Sequence, residues 1–173
     1  MKHILGKYSK STLTNVQEGD VQPNAVDLRL DKVFKISDNL FEIDNDTKVH
    51  RGSEPVEPNA DGWFELEPGA YEVIMENVIS VADGEAGFVI TRSTLNRNGV
   101  FLTSGLYDSG YGIDVNTGEA VGGVMAGVMH VNVGPALIKK GTRVGQYIMW
   151  NAETLSLYNG SYGNHKEHDT KYQ

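Results

Sequence analysis

Cysteine is absent from the 173 residues, which excludes a disulfide framework and any thiolate metal site in one step. Long apolar runs are missing too. Nothing approaches the roughly 18 consecutive apolar residues of a membrane helix, and the opening MKHILGKYSKSTLTNV has no continuous hydrophobic segment of the signal-peptide kind. Positive charge is scarce: 15 Lys and Arg against 23 Asp and Glu leave a net charge of −8. That balance argues against nucleic acid or a membrane as partner, although a small basic pocket inside an acidic protein is compatible with it. A cytoplasmic location suits these absences. What the chain does have is glycine, 20 residues scattered along it, which favours many turns over long helices.

The apolar pattern has the period of strands. Val26, Leu28 and Leu30 alternate with Asp27, Arg29 and Asp31, as in a half-buried strand. Val33 to Ile36 and Leu40 to Ile43 read as two more short strands joined at Ser37-Asp38-Asn39. Upstream, Ser11 to Glu18 is expected to form a short helix; residues 44–61, polar and holding Pro55 and Pro58, are expected to be a long loop. From Trp63 the pattern becomes regular. Phe64 to Leu66, Tyr71 to Met75, Val78 to Val81 and Gly87 to Thr91 are separated by turn signals such as Pro68-Gly69 and Asp83-Gly84. Residues 112–123 read as a Gly-rich loop; Val124 to Val133, Leu137-Ile138 and Val144 to Trp150 supply the last strands. Short strands with turns every ~8–12 residues predict an all-β fold, a distorted jelly roll or β-barrel. Residues 1–157 are read as one β domain. Residues 158–173 hold little to bury and are expected to be a flexible C-terminal arm.

Polar groups gather at the ends of apolar runs between Phe88 and Tyr111. Phe88-Val89-Ile90 passes into Arg92, Ser93 and Thr94; a second run turns at Gly105 and delivers Asp108 and Tyr111. Buried strands seldom end in such a set without a site. One carboxylate, one guanidinium, two hydroxyls and a ring can bind a phosphorylated sugar and attack it with water. Each also has a plain structural reading. Asp108 suits a turn before Ser-Gly, Tyr111 an edge strand, and Arg92 with Ser93 an exposed strand end.

Four segments, in order, carry a resemblance. QPNAVDLRL at 22–30, TRSTL at 91–95, GLYDSGY at 105–111 and GTRVGQYI at 141–148 resemble the four central motifs of the dUTPase and dCTP deaminase superfamily, the first being closest to the form found in its deaminases and its archaeal- or phage-type dUTPases. The ordered set covers roughly residues 20–150. A fifth motif, normally a Gly-rich arm containing Phe, is not recognisable; YNGSYGNHKEHDTK stands in its place, with Tyr162, His165, Lys166 and Lys171 as candidate substitutes. The resemblance implies a homotrimer acting on a pyrimidine deoxynucleoside triphosphate, with sites between subunits and the tail closing as a lid. It implies that Asp108 orients a water for attack on the α-phosphorus, and that Tyr111 packs on the deoxyribose and rejects ribonucleotides. Arg92, Ser93, Thr94, Arg97 and Gln146 are implied at the phosphates, Gly105 in the base-recognising hairpin, and Tyr162 and Lys166 on the closing arm. Arg143 is read instead as a structural ion-pair partner. No protein metal site is implied: Mg²⁺ rides on the triphosphate and water, with Asp27 assisting it or structuring the pocket floor.

The superfamily offers two chemistries. Its deaminases carry a glutamate three residues before an Asn-x-Gly, where it activates water at the cytosine ring. Counting back from Asn132-Val133-Gly134 puts Met129 there, and a thioether cannot move a proton at neutral pH. The expected reaction is therefore conversion of dUTP to dUMP and pyrophosphate. A dCTP-directed enzyme (deaminase or pyrophosphatase) is the alternative, because the insertion around residues 113–122 contains Asp114 and Glu119. A catalytically silent regulatory trimer is the alternative from another class.

Overall fold

A computed structural model of the chain describes residues 2–4 and 9–160. The strands are β1 (Lys2–Ile4), β2 (Thr12–Thr14), β3 (Val26–Ile36), β4 (Glu42–Ile43), β5 (Lys48–Val49), β6 (Ser53–Val56) and β7 (Trp63–Leu66). They continue with β8 (Gly69–Ser80), β9 (Glu85–Thr91), β10 (Val100–Thr103), β11 (Gly123–Val131), β12 (Ala136–Lys139) and β13 (Arg143–Asn151). A single helical turn, α1 (Ser93–Arg97), stands between β9 and β10. The protein is all-β, and its long strands are the alternating segments of the sequence. No helix of the described residues is long and apolar enough to cross a membrane.

The main sheet runs β1-β2-β8-β3-β13-β9, with β11 along the other edge of β8, β10 beside β11, and β6 on β3. Every pairing is antiparallel. Side chains bring the two ends of this path together. The Thr91 hydroxyl accepts from Leu102 N at 2.7 Å and donates to Leu102 O at 2.8 Å, while Val89 N donates to the Ser104 hydroxyl at 2.9 Å. The sheet thus curls into a nearly closed barrel, which hides otherwise unpaired strand edges. Leu13, Leu28, Leu30, Val73, Met125 and Val144 fill it with no exposed surface. Fully burying such a side chain is worth about 1.5–3 kcal/mol each.

Three local expectations are corrected. Residues 11–18 do not form a helix: Thr12–Thr14 is a strand between β1 and β8, and in it Leu13 is fully buried. Tertiary pairing overrides the helical option. Residues 44–61 are not one long loop either. β4 and β5 form a separate hairpin, whose turn is closed by the Asp44 carboxylate accepting from Asp46 N and Thr47 N, and β6 pairs with β3. Pro55 hid β6, but proline is tolerated on an edge strand. Finally, Val26–Leu30 and Val33–Ile36 are one strand. A register shift between Leu30 and Lys32 produced the break in the apolar phase that reads as two.

Candidate active site

Asp27 lies within β3 and has no exposed surface. Its Oδ1 accepts from Gln146 Nε2 on the paired strand β13 at 3.1 Å. Its Oδ2 stands 3.4 Å from Arg143 Nη1 and 3.2 Å from Arg92 Nε, the latter an ion pair without hydrogen-bond alignment. Arg92 Nη1 also donates to Arg143 O at 3.2 Å, and Arg143 Nη1 to Gly19 O at 2.8 Å. Three of the four motifs therefore meet at one carboxylate. Two guanidiniums against one acid leave the cluster cationic, and Arg92 Nη2 has no protein acceptor among the described residues. Guanidiniums held in this way suit a phosphate chain.

The support behind Asp27 is also ionic. Asp27 N donates to Asp20 O at 2.8 Å, and Arg29 grips the buried Asp20 carboxylate through Nε at 3.0 Å and Nη2 at 2.7 Å. Burial alone would raise the Asp20 carboxyl. The Arg29 hydrogen bonds, Gln17 N and the charges of Arg29 and Arg143 outweigh it and hold the group below the usual carboxylate range.

Beyond β9 the chain turns into α1, which exposes Ser93, Thr94 and Arg97 beside Arg92. The strand-end reading of Ser93 is thus replaced by a helical turn, made possible because Asn96 N reaches back to Arg92 O at 3.1 Å. Asp108 lies elsewhere, in the turn from Tyr107 to Tyr111. It is exposed, and among the described residues its carboxylate has no hydrogen-bond or ion-pair partner. A side chain at Gly105 would meet nothing within 4 Å, so the mouth of this hairpin is open.

Tyr111 is 7% exposed, and its hydroxyl donates to Val124 O. Its ring stacks edge-on with Tyr107, centroids 5.1 Å apart, and with Tyr158 at 5.4 Å; Tyr107 continues to Tyr147 at 5.9 Å. Burial, then the neighbouring Tyr107 and Glu85, push the Tyr147 hydroxyl far above the ordinary tyrosine range. Gly112 (φ +73) has to be glycine, since a Cβ would sit 2.1 Å from Ile79 O.

The insertion is a closed hairpin. Asp114 N donates to Glu119 O at 2.8 Å, and the Asp114 carboxylate accepts from Asn116 N and Thr117 N. Glu119 itself is exposed on it. Met129 has no exposed surface and lies opposite Leu102 and Tyr71 in the core. Tyr162 and Lys166, with His165 and Lys171, lie outside the described residues.

Two groups near the turn escaped sequence reading. Ser109, 3% exposed, looks like a turn filler; Glu85, 5% exposed, looks like a surface acid after Asp83-Gly84. A carboxylate between a turn and an apolar run is a weak signal, and the partners that bury Glu85 are about 75 positions away in the chain.

Residues 3–152 match the family described as dCTP deaminase-like. A probable deoxyuridine 5'-triphosphate nucleotidohydrolase of Halobacterium salinarum is 31% identical over 171 residues, covering 96% of both chains. The deoxyuridine 5'-triphosphate nucleotidohydrolase of Methanocaldococcus jannaschii is 32% identical over 105 residues, 60% of this chain and 67% of that one. Among solved structures, 2'-deoxycytidine 5'-triphosphate deaminase of Agrobacterium tumefaciens superposes with a TM-score of 0.52 at 16% identity, over 79% of this chain. The present chain spans 43% of that deaminase's length, and the likeness is one of fold.

Proposed function

Because this chain belongs to the dCTP deaminase-like family, we propose that it hydrolyses dUTP to dUMP and pyrophosphate. Asp108 accepts a proton from a water as the water oxygen attacks the α-phosphorus. The bond from that phosphorus to the bridging oxygen of the β-phosphate breaks, and pyrophosphate leaves. Arg92, Gln146 and the Ser93 hydroxyl hold the phosphates, with Thr94 and Arg97 beside them. The Asp27 carboxylate orients both guanidiniums before substrate arrives, so little reorganisation is left for the reaction itself.

The observation that carries this reading is the placement of the two halves of the site. Ser109 bonds to Glu85 at the start of β9, while Arg92 follows its last residue. Seven residues of strand separate them, roughly 20 Å at the usual rise per residue. That span disfavours one chain's Asp108 and Arg92 meeting at the same triphosphate. This supports a site completed by a second copy, in a homotrimer where Asp108 of one subunit faces the Asp27 cluster of the next. It also supports a role for the open hairpin at Gly105 in receiving the base.

Mg²⁺ is proposed to accompany the triphosphate, supplying charge neutralisation. Asp27 does not fit as its ligand: it is fully buried, with both oxygens turned to Gln146, Arg92 and Arg143. Met129 disfavours deamination, because a glutamate in its place would be needed and the position is inside an apolar core. A cytoplasmic location remains part of the proposal.

Incubation with each dNTP and Mg²⁺, reading both pyrophosphate and ammonia, tests the assignment. Pyrophosphate from dUTP is the expected result. Ammonia from dCTP would replace it with deamination, and neither product would favour a silent trimer.

A further inference from the structure

With no side-chain partner of its own, Asp108 takes its direction from the backbone on either side. Tyr107 and Gly87 exchange two backbone hydrogen bonds, at 2.8 and 3.1 Å. Gly110 N donates to Val81 O at 2.9 Å, and Val81 N to Tyr111 O at 2.8 Å. Between these clamps stands Ser109, and two of its three anchors come from the far end of the chain.

After β13, Ala152 N bonds Gly84 O at 2.8 Å, and the segment then runs across the turn. Tyr158 N donates to Ser109 O at 2.7 Å. The Ser109 hydroxyl donates to Glu85 O at 2.6 Å and lies 2.6 Å from the Thr154 hydroxyl. A serine hydroxyl has one proton, so Thr154 must be the donor in that pair. The chain of donors runs from Thr154 through Ser109 to the Glu85 carbonyl. Gly110 (φ +89) shows how close the crossing is, since a Cβ there would stand 3.0 Å from Leu157 Cβ and 3.1 Å from Tyr158 N.

We infer that Thr154 and the Tyr158 backbone are positioning groups for Asp108, and that segment 152–158 acts as a cross-brace on the turn of its own chain. The inference rests on the reading of Asp108 as the water-activating carboxylate. Its physical basis is that a carboxylate activating water works in a narrow range of directions, and displacement by about 1 Å can cost up to a hundredfold in rate.

The test uses the full chain with Thr154→Val, which removes the donor at nearly constant volume, and Thr154→Ser, which retains it. Two readouts are taken: amide exchange of residues 107–111, and kcat and KM for dUTP with Mg²⁺. Thr154→Val should speed exchange at Gly110 and Tyr111 and lower kcat about tenfold, with KM within about twofold. Thr154→Ser should restore both. Unchanged exchange in Thr154→Val overturns the brace, whatever the rate does; so does faster exchange with full kcat. Because exchange needs no substrate, faster exchange in Thr154→Val, restored by Thr154→Ser, in a protein inert towards dUTP would keep the brace and remove the substrate reading instead.

Discussion

Asp27 and Asp108 are both aspartates in family-like motifs, yet their surroundings assign them opposite tasks. Asp27 is sealed and spends both oxygens on side chains that themselves face outward; Asp108 is open and spends neither. Asp108→Asn should therefore lower turnover by about 10²–10⁴ while leaving affinity for a non-hydrolysable dUTP analogue within about twofold. Near-wild-type turnover in that variant would take the residue out of the reaction. Asp27→Asn should act through its partners. It should cost roughly 1–3 kcal/mol in a denaturant melt and weaken nucleotide binding, because the guanidiniums lose the charge that holds them. Tyr111 is more structural than its motif suggests, being a member of a four-tyrosine cluster. Tyr111→Phe removes the bond to Val124 O and should cost about 1 kcal/mol. If the ring excludes ribonucleotides, this variant keeps its discrimination against UTP, measured by relative kcat/KM.

Among the elements, β9 does most to organise the molecule. It pairs with β13, closes the barrel through Thr91, leads directly into Arg92, and begins at Glu85. The Glu85 carboxylate staples the segment before β2: it accepts from Ser9 Oγ at 2.9 Å, Lys10 N at 2.9 Å, Ser11 N at 3.1 Å and the Ser11 hydroxyl. Burial alone would raise this carboxyl. The bonds from Ser11, Lys10 and Ser9 together outweigh burial and hold it below its ordinary value near 4.5. The folded value is thus lower than the unfolded one. The stabilisation is fully present above the ordinary value and is lost as pH falls through the folded one. Glu85→Gln should lower the melting temperature at pH 7, and should flatten its fall between about pH 5 and 3. A parallel acid dependence in the two proteins would show that the staple does not contribute. Asp20, held low by Arg29, adds a separate part of the same acid sensitivity.

At the scale of the whole molecule, the distance along β9 between the Asp108 turn and the Arg92 cluster makes a prediction that single-site variants cannot. Asp108→Asn and Arg92→Ala chains should each be nearly inactive alone. Unfolded and refolded together, they should recover activity on the order of a quarter of the sites if subunits mix at random, since some sites then draw both intact groups from different chains. Absence of recovery in mixtures shown by light scattering to be trimeric would place the two residues in one subunit's site. A monomeric mass would remove the shared-site proposal altogether.

The sequence by itself determined the strand class and the four polar segments. Alternation of apolar residues reports one face of a strand directly, and the motif residues are local strings such as Arg92-Ser93-Thr94 and Asp108 to Tyr111. It also located Met129, a position that depends on counting alone. Tertiary structure alone decided who meets whom. Asp27 meets Arg92 and Arg143 across 65 and 116 positions, and Ser109 meets Thr154 across 45. Such partnerships have no periodicity to reveal them. The same holds for Thr12–Thr14 and β6, short segments whose own preferences were outweighed by pairing with β8 and β3. Local patterns say which face of a strand is buried; the closing of the barrel says what it is buried against.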